Sequence, residues 1–74
     1  MPLAFLPEGT KGIVKSIVGG FGMRRRLYEL GFTEGTEVWV IKSGRPGPIL
    51  VSVRGSRLAI GRGVAMKIFV EVVA

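Results

Sequence analysis

The sequence predicts a mainly β domain: a small barrel of about five strands, with one short α-helix between the first and second strands. Five short apolar stretches alternate between two faces, and turns rich in glycine or proline separate them. Five strands in 74 residues favour a barrel over a sandwich. Closure also hides the strand edges that such an apolar chain would otherwise expose. We therefore expect a single domain over residues 1–74.

The first strand is predicted at residues 13–18, after a turn at residues 7–10. Three glycines, at positions 19, 20 and 22, then break it. Phosphate-binding loops also lie between a strand and a helix, but this segment has neither the dinucleotide fingerprint nor the Lys-Ser pair of a P-loop. We interpret the glycines as a turn.

A basic helix is predicted next, roughly from Gly22 to Leu30. One of its faces is apolar, because Met23, Leu27 and Leu30 follow the i, i+4, i+7 spacing. We expect this face to plug one opening of the barrel. Gly31 occupies the position where a left-handed residue ends a helix, which would let the next residue pack back on Leu27.

The remaining strands are predicted at residues 36–42, 49–53, 58–60 and 67–72. Two prolines and two glycines make residues 43–48 a loop.

The two short connections after the third strand have different expected shapes. The stretch from Arg54 to Arg57 is typical of a tight hairpin, and Gly55 at its first central position favours a type II′ turn. Residues 61–65 predict a break of about one helical turn. In the last strand, Ile68, Val70 and Val72 share the inner face.

Composition excludes several kinds of site. The chain has no cysteine and no histidine, which removes disulfides, thiolate metal sites and the usual imidazole base or ligand. The five glutamates do not form a cluster of converging oxygens. We therefore expect no catalytic residues, no cofactor and no dedicated metal site. No apolar run approaches the ~18 residues of a membrane helix, and the start is unlike a secretory signal. A cytoplasmic protein without direct membrane insertion is expected.

Charge and exposed apolar residues indicate a partner. Eleven Lys and Arg against five acidic residues give a net charge of +6. Such an excess suits nucleic acid, anionic lipid or an acidic protein surface, although it also fits a merely solvated surface. Trp39 and Phe69 lie opposite the core positions of their strands, where apolar patches mark interfaces. The candidate partner-binding residues are Arg24, Arg25, Arg26, Arg45, Arg54, Arg57, Trp39 and Phe69.

The order and spacing of several motifs resemble the FeoA family over nearly the whole chain, roughly Leu3 to Val72. The segments that carry the resemblance are Leu6-Pro7-Glu8-Gly9, Gly12-Ile13-Val14, Arg25-Arg26-Leu27-Tyr28-Glu29-Leu30-Gly31-Phe32 with Glu34-Gly35-Thr36, Val53-Arg54-Gly55 with Leu58-Ala59-Ile60, and Ala65 to Val70. The resemblance implies an SH3-like barrel, a fold that also closes DtxR-type iron-dependent regulators as a C-terminal domain.

The resemblance further implies a non-catalytic, regulatory role in ferrous iron uptake. The implied partner is the cytoplasmic GTPase part of the FeoB permease. A weak homodimer is a second expectation, drawn from the exposed apolar positions. The alternative function is a small basic nucleic-acid-binding β-barrel. It is disfavoured because no strand interleaves aromatic and basic residues as stacking platforms do. An enzyme is not expected, since no nucleophile has a histidine to activate it.

Overall fold

The computed structural model describes residues 1–44 and 46–73. Over these residues the chain forms a 3-10 helix at Leu3–Phe5, β1 at Lys11–Ile17, α1 at Phe21–Leu30, β2 at Glu37–Lys42, β3 at Ile49–Val53, β4 at Ser56–Ile60, α2 at Arg62–Ala65 and β5 at Ile68–Val73. The mainly β class is confirmed, with five strands and a helix between the first two. The predicted turn of helix after the fourth strand is confirmed as α2.

The five strands form one antiparallel sheet in the order β4-β3-β2-β1-β5. Each strand from β1 to β3 pairs with the next one, and β5 returns to lie beside β1. The pairing register shifts between Val14 and Ser16 in β1, and between Val40 and Lys42 in β2. Extra residues at such bulges bend a sheet and increase its twist. The sheet therefore curls around the core, with β4 and β5 at its two ends.

The core lies on the concave side of this sheet, as the alternating pattern predicts. All three inward residues of β3 and both inward valines of β2 are buried. The predicted inner position of Val72 is wrong: this residue is 48% exposed, although Ile68 and Val70 on the same strand are buried. Leu3 and Leu6 complete the core from the N-terminal segment, which contacts α2 and β5.

Helix α1 ends as the sequence predicts. Gly31 has φ 110°, its N–H donates to the Tyr28 carbonyl, and the Phe32 N–H donates to the Leu27 carbonyl at 3.0 Å. This is the Schellman arrangement. It directs Phe32 into the core, where the side chain is fully buried. The plug is only partly as expected: Leu27 is buried, but Leu30 in the last turn remains 42% exposed.

Replacing Gly31 by alanine is expected to lower the free energy of unfolding by about 1–2 kcal/mol, because a Cβ is strained at positive φ. The new Cβ would also stand 3.0 Å from Cδ of Arg54. Gly22→Ala is the matched control, since a Cβ there meets nothing within 4 Å. That change is expected to raise stability by at most about 1 kcal/mol. Urea denaturation of both variants checks the pair, and equal midpoints would contradict the expectation.

The hairpin between β3 and β4 differs from the prediction. Val53 pairs with Ser56, so the turn residues are Arg54 and Gly55. Both have positive φ, 49° and 79° respectively. Positive φ at both central residues defines a type I′ turn, not the type II′ turn that was predicted. Among the described residues, Arg54 is the one non-glycine with positive φ.

Candidate interaction site

The structure places the predicted partner-binding residues on separate surfaces. Of the three arginines of α1, Arg26 lines a groove between α1 and β4, whereas Arg24 and Arg25 lie on the side of the helix that faces away from this groove. Trp39 and Arg57 lie on the convex face of the sheet, Arg54 in the β3–β4 turn and Phe69 beside the N-terminal segment. Arg45 lies outside the described residues. The predicted set is therefore not one patch, and each surface has to be judged by its own contacts.

Trp39 belongs to a row of outward residues across the convex face. The register aligns Lys11, Trp39, Ser52 and Arg57 on β1, β2, β3 and β4. The Trp39 side chain is 46% exposed, and Nζ of Lys11 lies 5.1 Å from the centre of its ring. A cation from the same chain therefore already occupies one side of this aromatic ring.

The Arg54 side chain turns back onto its own chain. Its Nε donates to the Gly31 carbonyl at 3.4 Å, and Nη2 donates to the hydroxyls of Thr33 and Thr36 at 3.0 and 3.2 Å. These bonds tie the β3–β4 turn to the end of α1, and they accompany the positive φ of this residue. Arg54 thus holds the local structure as well as carrying surface charge.

Phe69 lies close to the N-terminal segment. Pro2 forms a bridge with it, while Met1 and Val70 exchange two backbone hydrogen bonds of 2.9 and 2.8 Å. The first residues of the chain therefore cover this part of the edge of β5. Phe69 itself is only partly exposed.

An apolar groove of about 420 Å³ runs between α1 and β4. We call it the α1–β4 groove. It is lined by Gly22, Met23, Arg26, Leu27, Leu30, Ala59, Ile60, Gly61 and Val64. Most of these residues are apolar, so the groove can accept apolar side chains from another molecule. The sequence did not predict this groove, although it placed Leu30 on the apolar face of α1 and Arg26 among the candidate partner-binding residues.

The edge of β4 borders the same groove. In a two-residue type I′ hairpin, Val53 and Ser56 form the hydrogen-bonded pair that closes the turn. Alternation along the ladder then directs the N–H and C=O groups of Arg57 and Ala59 away from β3. Within the described residues no other strand lies beside β4, and no hydrogen bond uses these groups. They form a free edge.

Two cations lie on the elements that form the groove. Arg26 lines the groove and Arg57 lies exposed on β4. Neither is in an ion pair among the described residues, whose three ion pairs involve other cations. Arg62 is nearby in sequence, but its Nη2 is occupied by the Ser43 and Gly44 carbonyls. The potential beside the groove therefore favours an acidic partner.

The surroundings of the groove show neither an acidic metal site nor a membrane span in the described residues. In the parts of the chain that the structure covers, no three acidic side chains come close enough to hold a metal ion. No helix there has the length and hydrophobicity needed to cross a membrane.

The sequence matches the model of the FeoA domain family at residues 1–72. A protein of Methanocaldococcus jannaschii, provisionally named Fe(2+) transport protein A, is 49% identical over 70 residues. The match covers 95% of this chain and 84% of that protein.

Solved structures show the same fold. The crystal structure of an iron uptake regulatory protein, FeoA, is 41% identical with a TM-score of 0.93, covering 99% of this chain and 97% of that one. Stenotrophomonas maltophilia FeoA in complex with zinc, described as a procaryotic SH3 domain protein, is 34% identical with a TM-score of 0.85, covering 96% and 89%. The SH3-like prediction is thereby confirmed. A manganese-dependent transcriptional repressor contains the same fold at 21% identity, over 41% of its chain.

Proposed function

Because the chain belongs to the FeoA family, we propose that it is a non-catalytic accessory module of ferrous iron uptake that binds an FeoB-type permease at its cytoplasmic GTPase domain. The name of the M. jannaschii relative supports the link to iron transport. The observation that carries the proposed mode of action is the free edge of β4 beside the α1–β4 groove. A module of this kind needs a docking surface and no acid, base or metal ligand of its own.

The groove supplies the apolar part of the contact. Leu30 is 42% exposed and lines the groove with Met23 and Val64. Burying apolar side chains of a partner here would remove both surfaces from water, and each leucine-sized side chain gains about 1.5–3 kcal/mol when fully buried. The expected partner segment therefore carries apolar side chains at alternate positions.

The strand edge supplies the polar part. Arg57 and Ala59 each present one free N–H and one free C=O, and an extended segment can pair with such groups by adding a strand to the sheet. One face of that segment would then lie over the groove. Its flanks would be acidic, since Arg26 lines the groove and Arg57 is an exposed cation on the same edge strand, β4. We propose that an extended, acidic-flanked segment of the permease occupies this place.

Ala59→Pro is expected to weaken binding to the permease roughly tenfold, in line with about 1–2 kcal/mol for a lost hydrogen bond. Proline removes the N–H of residue 59, which forms no bond inside the domain, and proline is accepted on edge strands. Ala59→Ser keeps the N–H and serves as the control. Calorimetric titration into the whole permease in detergent measures both affinities, with thermal unfolding as a check of the fold. Equal affinities of the two variants would contradict strand addition.

The proposed function as a whole depends on the wild-type titration. Saturable binding to the permease, with or without a GTP analogue, is the expected result. Absence of binding under every nucleotide condition would refute it. Binding to RNA or DNA that falls steeply with salt would instead favour the nucleic-acid alternative.

A further inference from the structure

The outer side of α1 carries a stripe of aromatic and cationic residues that the proposed function does not use. Phe21, Arg24, Arg25 and Tyr28 follow the i, i+3, i+4, i+7 spacing and therefore share one helical face. We call them the outer stripe. Phe21 is 72% exposed and Tyr28 is 47% exposed. Met23 and Leu30, which line the α1–β4 groove, lie on the opposite face of the helix.

Two more residues extend the outer stripe beyond the start of the helix. Val18, 57% exposed, donates its N–H to the Lys67 carbonyl at 2.9 Å. The Lys67 side chain runs alongside Gly19, within 3.9 Å of where a Cβ would stand. An apolar residue and a third cation therefore join the end of α1 where Phe21 lies.

The cations of this surface have few partners inside the domain. Arg25 is 3.5 Å from Glu29, and both side chains are largely exposed. Arg24 and Lys67 are in no ion pair among the described residues. Arg24 also lies in the first turn of α1, where the helix dipole disfavours a positive charge and no acidic residue offsets it. The position of Arg24 therefore does not stabilise the helix, and its charge is available to an anion outside the protein.

The shape of the surface favours a flat, deformable partner. A cavity of about 160 Å³ lies where Arg24, Tyr28 and Glu34 meet, which is too small to enclose a sizeable ligand. Phe21 and Val18 are 72% and 57% exposed, so both side chains are available to a partner that meets the outer stripe. Exposed aromatic rings flanked by arginine and lysine suit the interface of a bilayer, where the ring enters the headgroup level and the cations meet lipid phosphates.

We propose that the outer stripe, with Val18 and Lys67, adsorbs this protein to an anionic membrane surface. Adsorption at headgroup level needs no segment that crosses the bilayer. It also needs no permease, so the inference goes beyond the proposed function. The α1–β4 groove lies on the other side of α1, and it stays open to a partner while the outer stripe lies against lipid.

Co-sedimentation with vesicles tests this directly. The full chain is expected to bind vesicles that contain phosphatidylglycerol and not vesicles of phosphatidylcholine alone, and to be released by high salt. Phe21→Ser is expected to lower the partition coefficient roughly tenfold, since it removes the most exposed ring from the interface. The double variant Arg24→Glu with Arg25→Glu is expected to abolish binding.

The matched control is Phe5→Ser. Phe5 is 54% exposed but lies in the N-terminal 3-10 helix, outside the outer stripe, and its variant should bind like the wild type. Equal binding to both vesicle types, or equal loss in the Phe5 and Phe21 variants, would overturn the proposal. So would binding only to vesicles that contain the permease, because the lipid itself would then contribute no binding. The titration in detergent, without anionic lipid, tests the proposed function separately.

Discussion

Phe32→Ala is expected to lower the free energy of unfolding by about 3–5 kcal/mol, the range for truncating a buried phenylalanine. The Phe32 side chain has no exposure to solvent, and it is the largest of the fully buried side chains. Its N–H bond to the Leu27 carbonyl survives the substitution. The loss of stability therefore reports the packing of the Phe32 side chain, which connects the end of α1 to the core.

The size of the domain makes this loss severe. At roughly 0.05–0.15 kcal/mol per residue, a chain of 74 residues has a total stability of about 4–11 kcal/mol. We expect the variant to be largely unfolded on warming, as followed by circular dichroism. Phe5→Ala is the control, because Phe5 is 54% exposed and its truncation should cost little. Similar melting curves for the two variants would contradict the role assigned to Phe32.

Leu30→Asp is expected to weaken binding to the permease roughly a hundredfold, which corresponds to the loss of an interfacial hot spot. Leu30 is 42% exposed, so the folded domain tolerates the change. In the complex, however, the new carboxylate would be buried in an apolar groove beside an acidic segment. The measurement is the same calorimetric titration into detergent-solubilised permease.

Tyr28→Asp is the matched control for Leu30→Asp. It introduces the same charge on the same helix at a similarly exposed residue, but on the outer side. Its affinity for the permease in detergent should equal that of the wild type. If Tyr28→Asp weakens binding as much as Leu30→Asp, the contact does not run through the α1–β4 groove.

Local sequence patterns were sufficient to predict the strands, helix α1 and the residue at which α1 ends. Alternation placed Val38 and Val40 inside and Trp39 outside, because the period of a strand is fixed by its pleat. Gly31 marked the end of the helix, since a left-handed residue at that position is usually glycine. Periodicity gives the direction of a side chain but not its depth, which is why Leu30 points inward and yet stays 42% exposed.

The features that depend on distant parts of the chain could not be predicted. The type I′ turn puts an arginine at positive φ, where asparagine or aspartate is usual, so the sequence offered no standard signal. The oxygens that Arg54 contacts lie 18 to 23 residues away. The α1–β4 groove likewise exists only because the topology leaves β4 at the end of the sheet, beside α1.

Amide hydrogen exchange of this chain, alone and with the permease, tests the central claim most directly. The amides of Arg57 and Ala59 point away from β3 and should exchange rapidly in the free domain. On addition of the permease in detergent, strand addition predicts that both slow markedly, while other exposed amides remain fast. Unchanged exchange at these two amides under conditions where the permease is bound would contradict the account.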